Sequence, residues 1–198
     1  MGSHAKSSGV PAEAEEWCDL NVDSESEFAF IRPLAVADLA GYKELRDEML
    51  LAHPEAFTSD AATDRRKEPA DYLQRLGIDR GEGGHFLLGA WRGARLVGAI
   101  GCERDTRIKV HHVGHVIGMM VRAEARRRGV GQDLLEACIA TARGAGLETL
   151  TLTVTAGNAD AVGLYERIGF VAYGLLRRAI KVGAVHHDKL HMALDLRP

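Results

Sequence analysis

The sequence predicts one α/β (α+β) domain, with a mixed, mostly antiparallel sheet of about six to seven strands flanked by four helices. Three observations lead there. The chain has 198 residues, about the length of a single domain. Its apolar residues recur with period two in some segments and at helical spacing in others. Those segments also follow an order in which a strand–helix–strand unit, which requires a right-handed parallel crossover, lies between antiparallel hairpins.

Residues 1–26 are acidic, rich in Ser and Ala and without periodicity, so they read as a disordered leader, and the opening MGSH is set aside as a tag-like remnant. The folded domain is expected over 27–198. Phe28–Leu34 reads as the first strand. Asp38 is placed to cap a helix carrying Leu39, Tyr42, Leu45, Met49 and Leu50, which His53-Pro54 stops. A polar stretch over 58–68 leads to a short helix with Tyr72, Leu73 and Leu76. Strands over 85–91 and 95–102 flank the hairpin signal Arg92-Gly93-Ala94, and 113–121 is a third apolar strand. Val130, Leu134, Leu135, Cys138, Ile139 and Ala142 mark one helical face. Alternation of Leu150, Leu152 and Val154 with threonines gives a strand. A helix over 158–168 and a last strand pair, 170–180 and 185–195, complete the order.

Composition excludes several classes. No apolar run of 18 residues exists, so no membrane helix is expected. Three cysteines, Cys18, Cys102 and Cys138, are too few and too widely spaced for a disulfide framework or a CxxC metal site. With no secretory signal, a cytoplasmic protein is expected. Residues 1–80 hold 17 acidic and 9 basic side chains, whereas 81–198 hold 11 and 16. A positive second half points to an anionic partner. Nucleic acid is disfavoured, because aromatics are 6% and the arginines gather at one loop.

That loop is Arg126-Arg127-Arg128-Gly129-Val130-Gly131, between the third apolar strand and its helix. Two glycines allow close backbone approach, and the helix start adds unpaired N–H groups and the positive end of the dipole. Guanidinium groups beside them would complete a pyrophosphate cradle. No Gly-Lys-Ser/Thr follows, so it is not a Walker loop, and the third Rossmann glycine is missing.

Arg126-x-x-Gly129-x-Gly131 resembles the R-x-x-G-x-G/A motif of the GCN5-related N-acetyltransferase (GNAT) superfamily. Asn158-x-x-Ala161-x-x-x-Tyr165-x-x-x-Gly169-Phe170 is similar to that family's second signature, in the family's order and separation. Ala123 stands where the family often has proline. The resemblance implies acetyl-CoA as cosubstrate and a primary amine as acceptor, joined by direct attack in a ternary complex. It implies that main-chain groups of Met119 and Val121 pair with the pantetheine arm, that Arg126 to Gly131 hold the pyrophosphate, and that Asn158 bonds the arm. Tyr165 would be the general acid that protonates the leaving thiolate.

The residues themselves leave alternatives open. Tyr165 could be a core tyrosine packed on Phe170, and Asn158 could simply cap its helix. An alkylamine must also lose a proton before it attacks. His115 and Glu103 are the candidate bases, against a solvated role for each or a water relay. By strict alternation His115 shares a strand face with Ile117, Met119 and Val121. No metal is expected. A non-catalytic CoA-binding sensor is the alternative function, and a homodimer is left open.

Overall fold

The computed structural model describes residues 29–77 and 83–197. The leader expected over 1–26 lies outside the described residues. A seven-stranded sheet runs in the order β1-β2-β3-β4-β5-β7-β6, from β1 (Phe30–Pro33), β2 (Phe86–Arg92), β3 (Arg95–Arg104), β4 (Val113–Val121), β5 (Thr149–Thr155), β6 (Val171–Val182) and β7 (Val185–Asp195). Among the described strands every neighbouring pair is antiparallel except β4 and β5, joined through helix α3 (Val130–Gly144). Helices α1 (Leu39–Ala52), α2 (Ala61–Asp64) and α4 (Ala159–Ile168) complete the α-helical elements. The expected fold class is the observed one.

Each sheet face carries its own core. On one, α3 buries Val130, Leu134, Leu135, Cys138, Ile139 and Ala142, the stripe its sequence spacing marks, against Ile100, Val116, Leu150 and Met192. Each large aliphatic side chain so buried contributes about 1.5–3 kcal/mol. On the other face α1 sets Leu39, Tyr42, Leu45 and Met49 against Leu87, Leu96, Ala99 and Met120.

The feature that makes a site is in β4. Its pairing with β3 slips between Ala99 and Gly101, so that Gly118 and Met119 together oppose Ile100. The extra residue is a β-bulge, and Gly118 takes φ +59°, a left-handed conformation that only glycine adopts without strain. Pairing with β5 covers only Val113–His115 against Thr149–Thr151. Beyond it the two strands diverge, leaving facing main-chain edges. The bulge also inverts side-chain parity. Ile117 faces Leu87 on the α1 side, whereas Met119 and Val121 pack with the α3 core near Gly131. The shared face expected for His115, Met119 and Val121 is therefore corrected.

Three smaller expectations also change. The Asp38 carboxylate does not cap α1. It accepts from the Ala35 amide at 2.7 Å and pairs with Arg32 at 2.6 Å, closing the turn before the helix. The polar stretch after residue 58 contains α2, a four-residue helix capped by Asp60 through the Thr63 amide. The helix carrying Tyr72 is a 3-10 helix, Pro69–Leu76.

Candidate active site

The wedge between β4 and β5 opens into a cavity of about 310 Å³, lined by Gly118 and Met119 of β4, Val154 and Thr155 of β5, Asn158 and Tyr165 of α4, and Lys189 of β7. Tyr165 is held on the buried side of α4, edge-on to Phe170 at 5.8 Å between ring centres. Burial pushes its hydroxyl up to about 12, with a smaller contribution from Cys138. The hydroxyl therefore keeps its proton at neutral pH and serves as a donor. Asn158 caps α4, accepting from the Ala161 amide at 3.2 Å, and lines the cavity as well. Tyr165 both packs on Phe170 and lines the cavity, and Asn158 both caps α4 and lines it.

A roof is tied over the wedge by side chains from paired positions of β5 and β7. Thr155 Oγ1 donates to the Glu55 carbonyl at 2.7 Å, and Lys189 Nζ donates to the Ala56 carbonyl at 3.1 Å. Burial pulls the Lys189 ammonium below its ordinary range.

At the outer end of the wedge the chain turns from β4 into α3. Gly129 precedes the helix at φ +83°, and Arg127 is also left-handed at +58°, a conformation that costs a non-glycine residue about 1–2 kcal/mol. The first helical bond runs from the Asp133 amide to the Gly129 carbonyl at 3.0 Å, and no side chain caps the start. The amides of Val130, Gly131 and Gln132 therefore precede the ladder, at the positive end of the dipole. A Cβ on Gly131 would lie 3.4 Å from the Met119 methyl, so this amide cluster adjoins the wedge. Donors, absent side chains and an open strand edge suit an extended carrier ending in a diphosphate.

The arginines divide into distinct roles. Arg122, which sequence reasoning missed, is buried; it donates from Nε to the Leu96 carbonyl at 3.0 Å and pairs with Glu44 at 3.1 Å and with Glu48. It clamps α1 to the end of β4 and occupies two acids of that helix. The signal that could have found it is an arginine directly after an apolar strand, complementing acids at i and i+4 on a helix. Arg126 Nε donates to the Val121 carbonyl at 3.0 Å, and its Nη2 donates to His53 Nε2 at 2.7 Å. Of the main-chain groups assigned to the pantetheine arm, the Val121 carbonyl is thus already engaged. Arg127 and Arg128 are exposed.

On the α1 side lies a second, polar cavity of about 530 Å³, lined among others by Arg75, His85, Glu103, Asp105 and His115. Glu103 and His115 are cross-strand partners in β3 and β4. His115 Nδ1 shares a hydrogen bond of 2.7 Å with Thr151 Oγ1, and its Nε2 stands 3.8 Å from Asp105, whose carboxyl Arg107 holds well below the usual range. Arg75 and Glu103 line both cavities. Arg75 and Lys189 carry no sequence motif, and their partners come from distant segments.

Cys102 and Cys138 are buried, and burial pushes both thiols up, Cys102 to about 12. Neither is a nucleophile at neutral pH. Of the sequence candidates, the structure gathers Met119, Asn158, Tyr165 and Glu103 around the wedge and sets His115 next to Glu103. Val121 and Arg126–Gly131 stand at its outer end.

Residues 42–170 match the Acetyltransferase (GNAT) family. The chain belongs to this family. It is similar to glucosamine 6-phosphate N-acetyltransferase 1 of Oryza sativa subsp. japonica, 33% identical over 71% of this chain and 80% of the relative. A shorter match, 35% identical over 39% of the chain and 45% of the relative, is to L-methionine sulfoximine/L-methionine sulfone acetyltransferase of Pseudomonas aeruginosa. A Salmonella typhimurium protein solved with its cofactor acetyl-CoA shares the fold with a TM-score of 0.75 at 19% identity, over 86% of this chain and 95% of that one.

Proposed function

We propose that the protein is an N-acetyltransferase that moves an acetyl group from acetyl-CoA to a primary amine in a ternary complex. The observation that carries this is the wedge: strands that part beyond His115, the Gly118 bulge on the parted edge of β4, and an uncapped helix start at its outer end. The open edge of β4 accepts an extended arm as an added strand, and the α3 amides receive the diphosphate.

In the reaction the amine nitrogen attacks the thioester carbonyl. A C–N bond forms, the tetrahedral intermediate collapses, and the C–S bond breaks. Tyr165 donates to the sulfur as it gathers charge. Burial keeps the Tyr165 hydroxyl protonated, so it is available as the donor. Glu103, His115 through its Asp105-flanked ring, or water accepts the proton of the incoming amine. No metal is required by these steps.

The acceptors printed in the relatives' names, an amino sugar phosphate and amino-acid derivatives, differ from each other. Family membership therefore leaves the acceptor open. A cytoplasmic enzyme is part of the proposal. So is a homodimer, in which a second copy covers Val171, Tyr173, Leu175 and Leu176, exposed on the edge strand β6; sedimentation as a monomer would remove it.

The deciding experiment measures free thiol released from acetyl-CoA across an amine panel. Amine-dependent release is expected. Thermal stabilisation by CoA with no release for any amine would instead make the protein a CoA-binding sensor.

A further inference from the structure

Among the described residues most charged groups of the two cavities are engaged by a carboxylate, a main-chain carbonyl or an amide, and the two least satisfied are the two that both cavities share. Arg46 and Lys67 both reach Asp64 at 2.5 Å. Asp105 is held by Arg107 through two side-chain bonds. Arg104 donates to the Ala145 carbonyl and contacts His111, and the Asp71 carboxylate accepts from the Glu68 amide. Lys189 is occupied by the Ala56 carbonyl.

Arg75, half-buried, has only the Tyr42 hydroxyl at 3.5 Å and the Tyr72 ring at 6.0 Å, with no carboxylate among the described residues. The Glu103 side chain, also half-buried, has no hydrogen bond or ion pair among them. A Cβ on Gly118 would lie 3.9 Å from Arg75 Nη1, so the guanidinium stands over the bulge where the wedge begins. Partly desolvated charges without partners are unfavourable until something supplies them. The guanidinium and the carboxylate line the same junction without pairing with each other, so one object could answer both.

We propose that the acceptor is a small amine that also carries an anionic group, a carboxylate or a phosphate. The proposal rests on the acetyl-transfer reading above and names its substrate class. Arg75 binds the anion in the two-pronged geometry that guanidinium offers to either group. Glu103 receives the ammonium and takes one proton from it. The freed lone pair attacks the thioester carbonyl, forming C–N and a tetrahedral intermediate. As that intermediate collapses C–S breaks, the thiolate takes a proton from Tyr165 or water, the second nitrogen proton passes to the phenolate or hydroxide so left, and Glu103 returns its proton to solvent.

The test is steady-state kinetics of the whole chain with acetyl-CoA and matched acceptor pairs. These are L-amino acids against their methyl esters, L-methionine sulfone against 3-(methylsulfonyl)propylamine, and glucosamine 6-phosphate against glucosamine. The anionic member of the best pair is expected to have at least tenfold higher kcat/KM, and the pair concerned tells carboxylate from phosphate. Arg75→Gln should raise KM for that anionic acceptor tenfold or more. It should leave KM for the neutral partner and for acetyl-CoA within twofold, and Arg75→Lys should recover part of the loss. Glu103→Gln should lower kcat tenfold or more at unchanged acetyl-CoA KM. The proposal is overturned if an uncharged amine or a peptide N-terminus is the best acceptor, or if Arg75→Gln weakens both members of a pair alike. Absence of thiol release for every amine, with acetyl-CoA still binding in calorimetry, would overturn the acetyl-transfer reading itself.

Discussion

The two sides of the wedge work by different means. From Met119 through Gly131 the chain offers mostly main chain: a free strand edge, glycines where side chains would intrude, and the unbonded amides of α3. The α1 side offers side chains instead, with Arg122, Arg46, Asp64 and Glu48 locked in pairs and Arg75 and Glu103 without an ion pair among the described residues. Main-chain recognition fits a cosubstrate that never changes. Side-chain recognition can be re-lettered, which suits the half where we propose that the acceptor binds.

The largest expected effect breaks the support between the two sides. Arg122→Ala removes a buried side chain that bonds the Leu96 carbonyl and two carboxylates. With Glu44 exposed and able to hydrate, the loss should be about 3 kcal/mol in urea unfolding. A loss under about 1 kcal/mol would show that packing alone joins α1 to β4. Next, Tyr165→Phe should lower kcat about a hundredfold while CoA affinity in calorimetry stays within threefold; equal loss of both would make it a packing residue. The smallest effect tests the main-chain half. Replacing Arg126 and Arg128 together by Ala should weaken CoA about tenfold but leave phosphate-free pantetheine unchanged. Uniform weakening would deny them a phosphate role.

The main-chain half is also the half that sequence revealed. Strand β4 was legible as an apolar run, β5 by its period-two alternation and α3 by its helical spacing. Gly129 and Gly131 were legible because glycine spacing itself encodes close approach. Side-chain parity past Gly118 was not, since one inserted residue reverses every later assignment and alternation cannot reveal the insertion. Arg75 and Lys189 stayed hidden for another reason. What distinguishes them is the partners that chain topology brings or withholds, and those come from segments far away in sequence. The cluster Arg126–Arg128 drew attention as one unit, yet Arg126 is engaged at Val121 and His53 while the neighbouring two face solvent.

The fastening of Thr155 and Lys189 to residues 55 and 56 grips carbonyl oxygens, which every amino acid possesses. Such a clasp is indifferent to what those two positions spell. Mutation can therefore rewrite the side chains of those two positions over the wedge without unhooking it.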